Sequence, residues 1–177
     1  MKLNNKRPTE REKEARLAGL YDEYFDKIAR YAYARTGDKT AAEDIAGDVF
    51  LKALESLKSY EERGLPMEAW LFKIAHNRVV DHLREVTKTK TVPIEEIELR
   101  DETDDPETEA ETTMEMEKVT AAMKELTIEQ AEVIKLRFLS GMGSREVAAI
   151  LGKNDGAVRE MQRAAMEKIR KLLNVGK

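Results

Sequence analysis

His76 and His82 are the only histidines of the chain, and six residues apart on a helical stretch they fall on different faces, so they do not form a metal pair. No cysteine is present, which excludes disulfides, thiolate metal sites and cysteine nucleophiles, and suits a reducing compartment. Asp44 and Asp48 stand one helical turn apart but lack a partner base. No Gly-rich phosphate loop and no nucleophile motif accompanies them. Bond chemistry is therefore not expected, and neither a metal nor a cofactor is implied. The residues are equipped for recognition instead. Within 66–85, Lys73, His76, Asn77, Arg78, Asp81, His82 and Arg84 make a face rich in donors and mostly cationic, of the kind that meets phosphate oxygens and base edges. Near the C-terminal end, Arg159, Glu160, Arg163 and Arg170 make a second such face.

Those donors need helices to hold them. In 66–85, Met67, Trp70, Leu71, Ile74, Ala75, Val79 and Leu83 recur at steps of three and four, one stripe of an α-helix, with Pro66 suited to its first turn. Trp70 lies on that stripe and reads as core before it reads as a stacking platform. Upstream, Thr9 can cap a helix with Glu10 and Glu12 in its first turn and an apolar stripe of Leu17, Leu20, Tyr21, Tyr24, Ile28, Tyr31 and Ala32. Thr36-Gly37-Asp38 ends it and opens a second helix over 38–59, which buries Ala42, Ile45, Val49, Phe50, Ala53, Leu54 and Leu57. Asp44, Gly47, Asp48 and Leu51 then share its outward face. By spacing alone that face is a solvated acidic one.

Downstream, helical periodicity resumes at Met114 and runs to Leu126, and Thr127 with Gln130 makes a capping box for the next helix, which carries Ile128, Val133, Ile134, Leu136, Phe138 and Leu139. Ser144 to Leu151 then reads as a short helix burying Val147, Ala148 and Leu151. Gly152 makes a sharp turn, and Asn154 caps a longer helix that hides Val158, Met161, Ala165, Ile169 and Leu172. This is a helix-turn-helix pattern.

The net charge of −4 hides a segregation. Between 94 and 117 there are twelve acids and one base, Arg100, while 135–177 holds ten bases and four acids. The acidic average is thus the work of one segment, and the C-terminal part carries the electrostatic footprint of a phosphate binder. Residues 87–113 have lost the helical period and contain Pro93 and Pro106, so they read as a linker. No run of about 18 apolar residues and no apolar leader segment is found, so a soluble, cytoplasmic protein without membrane insertion is expected.

The motifs resemble one family. Trp70-Leu71, Ile74-Ala75, Asn77, Asp81 and Arg84 are similar to the helix that opens the minus-ten promoter element in bacterial RNA polymerase sigma factors of the extracytoplasmic-function group of the sigma-70 family. Gly156, Val158, Arg159, Ala165 and Lys168 match that family's minus-35-reading domain. The resemblance implies an all-α protein of two small helical domains, an N-terminal bundle over 1–87 and a C-terminal helix-turn-helix bundle over 114–177, joined by an acidic flexible linker over 88–113. It implies core RNA polymerase, through its clamp helices and flap, promoter DNA and an anti-sigma factor as partners. Asp44, Gly47, Asp48 and Leu51 would bind polymerase, with Gly47-Asp48 standing where glutamine-glutamate is common in the family. Tyr60, Arg63, Lys73, His76, Asn77 and Arg78 would face minus-ten DNA, Asn77 with Tyr60 and Arg63 holding a base flipped from the non-template strand. Ser144, Arg145, Asn154, Arg159, Glu160 and Arg163 would face minus-35 DNA.

The linker either follows an RNA-like path through the polymerase or only spaces the domains. About 25 residues at ~3.3 Å each reach roughly 80 Å, against roughly 58 Å for about 17 base pairs at 3.4 Å each. Two other readings stand beside the sigma factor: a helix-turn-helix regulator whose N-terminal helices sense or dimerise, and an α-helical adaptor without a nucleic-acid partner.

Overall fold

The apolar stripes that the spacing picks out do pack inward, on seven α-helices. The computed structural model describes residues 8–62, 64–89 and 109–173. In chain order the helices are α1 (Glu10–Thr36), α2 (Lys39–Ser56), α3 (Met67–Thr89), α4 (Glu109–Lys124), α5 (Ile128–Ser140), α6 (Ser144–Leu151) and α7 (Asp155–Leu173), with a 3₁₀ turn at Leu57–Ser59. Every regular element among the described residues is helical.

The ends are set where the side chains can satisfy them. Glu12 N donates to Thr9 Oγ1 at 3.3 Å while Thr9 N donates to the Glu12 carboxylate at 2.6 Å, a closed capping box. Thr127 and Gln130 repeat it at 3.2 Å in both directions. Asp38 caps α2 through Ala41 N at 3.0 Å, and Asn154 caps α7 through Ala157 N at 2.7 Å. Gly152, between α6 and α7, has φ 64°, the left-handed backbone that a side chain resists, and so makes the tight turn of the helix-turn-helix.

Helices α1, α2 and α3 pack together around Ile28, Tyr31, Val49, Leu71, Phe72 and Val79. Helices α5, α6 and α7 form the second bundle, with α4 lying on α7. The two bundles also touch: α1 packs on α5 and α3 on α6. One buried apolar cluster accordingly runs from Leu17 and Ile28 through Phe72 and Val79 to Val133, Leu136, Val147 and Val158.

Several expectations need correction. Tyr21, Leu54 and Leu172 are exposed rather than buried; Tyr21 sets one edge against Phe50 of α2, with ring centroids 4.9 Å apart, and lines an open surface groove with Leu54. Ile150 replaces Leu151 as the fully buried residue at the end of α6. Phe72, absent from the predicted stripe, is fully buried, because α3 is covered on a second side. Of the segment read as a linker over 88–113, α3 runs into its start as far as Thr89 and α4 begins within it at Glu109. The rest of that segment lies outside the described residues.

Candidate nucleic-acid interface

Helix α2 presents Asp44, Gly47, Asp48 and Leu51 together to solvent, as the spacing requires. Leu51 is 57% exposed, a large apolar side chain set between acids. Nothing lies within 4 Å of where a Cβ on Gly47 would stand, so this part of the face is bare. A groove of about 500 Å³ separates α2 from α3 and is lined by Asp48, Leu51, Lys52, Trp70, Asn77 and Arg78. Across it Arg78 donates to the Asp48 carboxylate, which ties the acidic face to the donor face. Both partners are about half exposed, so the pair is worth at most about 1 kcal/mol and is easily exchanged for another partner.

On α3, Lys73, Asn77 and Arg78 are exposed and follow one another around the helix, a donor surface of the predicted kind. His76 is not part of it. Its ring turns inward, where Nδ1 lies 3.0 Å from the Tyr31 hydroxyl and 3.4 Å from Glu132. Tyr31 gives its only proton to Glu132, so His76 Nδ1 carries the hydrogen that completes the contact. Burial first, and then the Arg35 charge, push the imidazole down to about 4 and keep it neutral.

The loop after α2 is held rather than open. Tyr60 is buried, packs on Trp70 with ring centroids 4.6 Å apart, and donates its hydroxyl to the Leu65 carbonyl at 3.1 Å. Lys13 donates to the Tyr60 carbonyl at 2.6 Å. Tyr60 thus fixes the entry to α3 and does not present its ring at the surface. Trp70 is half-buried against the same core, and Arg63 lies outside the described residues.

In the second bundle Ser144 Oγ donates to Asp155 at 2.5 Å, joining the starts of α6 and α7, and Asp155 pairs with Arg159 at 2.9 Å. Arg163 sits between Glu160 at 2.7 Å and Glu167 at 3.3 Å. Glu160 first, and then Glu167, hold the Arg163 guanidinium further up; Arg163 holds Glu160 down, while Glu167 is lowered first by Lys171 and then by Arg163. Arg145, Asn154, Arg159, Glu160 and Arg163 are all exposed, while Ser144 is half-buried in its contact with Asp155. The two predicted DNA faces are thus exposed surfaces on different bundles, α3 on the first and α7 on the second.

Sequence reasoning missed Glu132 and Arg35, and read Tyr31 as core without its polar contact. Glu132 is 5% exposed, pairs with Arg35 and accepts from Tyr31, at the seam between α1, α3 and α5. A signal existed: Glu132 falls four residues before Leu136, on the stripe that α5 buries, where an acid is out of place unless paired.

Comparison with known proteins bears on the family and the fold. The Sigma-70 region 2 family matches residues 20–89, and the Sigma-70 region 4 family matches 122–171. The chain is 34% identical over 160 residues to the ECF RNA polymerase sigma factor BldN of Streptomyces coelicolor, covering 87% of this chain and 59% of that protein. It is 30% identical over 148 residues to the ECF RNA polymerase sigma factor SigD of Mycobacterium tuberculosis, covering 81% and 70%. Among solved structures, the sigma factor RpoE of Bartonella quintana, in complex with the anti-sigma factor NepR, superposes with a TM-score of 0.71 at 21% identity over 90% of this chain and 98% of that one. CnrH, in complex with the cytosolic domain of CnrY, gives 0.64 at 22% over 93% and 91%, and both share the fold.

Proposed function

The chain belongs to the extracytoplasmic-function sigma factors of the sigma-70 family, and from that membership we propose that it binds core RNA polymerase in the cytoplasm, selects promoters and opens them, with no bond chemistry of its own. The acidic face of α2 docks on the polymerase clamp helices. Lys73, Asn77 and Arg78 on α3 then engage the minus-ten element, with Asn77 taking the edge of a base that strand opening exposes. Arg159 and Arg163 on α7 enter the minus-35 major groove, and the second bundle meets the polymerase flap. An anti-sigma factor is the partner that holds such a protein out of use. The observation that carries this reading is the groove between α2 and α3, where Asp48 and Arg78 bring an acidic protein-binding face against a cationic donor face.

The test is a titration of core polymerase. Asp44→Arg is exposed and free of the groove pair, so helical content should stay at the parent's level while affinity for core polymerase falls by at least tenfold, because a cation then faces the clamp arginines. Parent-like affinity would remove α2 as the docking face.

A further inference from the structure

The two bundles are joined by a polar cluster in an otherwise apolar seam. Glu132 on α5 is almost fully buried, and all of its partners come from the other bundle: Arg35 and Tyr31 on α1, and His76 on α3. Arg35 is itself largely buried, with a side chain 14% exposed. Lys135, one position past Ile134 on α5, is half-buried nearby and is pushed down to about 8 by burial and by the Arg35 charge. A buried ion pair contributes little net stability against an apolar replacement, but removing one partner leaves a charge stranded. Such a group therefore selects one docking geometry: the seam closes only where Glu132 meets Arg35.

We propose that Glu132 and Arg35 form an interdomain latch that keeps the free chain closed, and that this closed form must open before polymerase can use both domains. This rests on the sigma-factor reading. Promoter elements about 17 base pairs apart lie roughly 58 Å from one another, which bundles in direct contact cannot span. α6 also lies on α3, the helix whose outer surface carries Lys73, Asn77 and Arg78. Closure thus takes the two readers out of their working separation. Apparent affinity for polymerase scales with the open fraction, so a chain about nine-tenths closed binds about tenfold more weakly than its open form would.

The experiment uses the full chain. It has no cysteine, so spin labels at Lys58→Cys and Lys171→Cys report only the distance between bundles. The parent should give one narrow distance distribution. Arg35→Glu and Glu132→Arg should each broaden it, and the double swap Arg35→Glu with Glu132→Arg should restore the narrow one, an outcome that loss of folding cannot produce. Core polymerase should bind each single variant severalfold more tightly than the parent, and the double swap as the parent does. A broad distribution in the parent, single variants that stay narrow, or a double swap that stays open overturns the latch. Opening without a gain in polymerase affinity overturns its inhibitory role. Distances that respond as described, in a set of proteins none of which binds core polymerase, overturn instead the reading of the chain as a sigma factor, and the inhibitory role with it.

Discussion

On the proposed reading Arg163 would reach DNA only by leaving a carboxylate, since Glu160 and Glu167 hold it from both sides, and Arg159 is likewise engaged by Asp155. These pairs are exposed and weak, so a phosphate or a guanine edge displaces them readily. One that reads guanine bidentately contributes about 1 to 3 kcal/mol of discrimination at its position. One that holds a phosphate contributes to every site alike and adds about 0.9 to the logarithmic salt slope. Arg159→Ala and Arg163→Ala, measured in holoenzyme on every single substitution of the minus-35 element at two salt concentrations, should therefore separate: one loses discrimination at one or two positions, the other flattens the salt dependence. Two variants that match the parent throughout would remove α7 as the reader.

At the scale of the helix, the caps were legible in the sequence because they are local. Thr9, Asp38, Thr127 and Asn154 each satisfy N–H groups three residues on, and that requires nothing beyond the segment itself. Asn154→Ala should accordingly cost about 1 kcal/mol of stability, read as a lower thermal midpoint, with Asn154→Asp retaining most of it. The outward set Asp44, Gly47, Asp48 and Leu51 was legible for the same reason, since a 3.6-residue period fixes which residues share a face. The inward turn of His76 and the full burial of Phe72 were not. Periodicity finds one buried stripe on α3, whereas Phe72 is also covered by Tyr24 and Tyr31 of α1 and His76 by Tyr31 and by Glu132 of α5, partners far along the chain that no local pattern announces. Tyr60 shows the same limit: its ring is spent on Trp70 and its hydroxyl on Leu65, contacts set by how the loop folds back.

For the molecule as a whole, the proposed latch predicts a shape that depends on pH. His76 is faced by Tyr31 and Arg35 from α1 and by Glu132 from α5, with Lys135 close by on that helix, and it is neutral in the closed form down to about 4. An open chain would let it titrate near its ordinary 6.5. The closed form thus binds fewer protons, keeps its full advantage above about 6.5, and loses it as pH falls towards 4. Lys135, lowered to about 8, works in the same direction at the alkaline end, favouring closure further as pH rises above that value. The interdomain distance distribution should therefore broaden between pH 6.5 and 4, and the His76→Gln variant should broaden less over that interval. An identical response in parent and variant would show that His76 takes no part.

The apolar cluster that crosses from Ile28 and Phe72 to Val133 and Val147 belongs to neither bundle alone. Were the bundles to part as proposed, each would be left with an adhesive flank, and such flanks attract whatever apolar surface is nearest. A chain built this way would travel badly while open. Its release from one state and its capture by the next would then have to be close in time and place, a handover rather than a search.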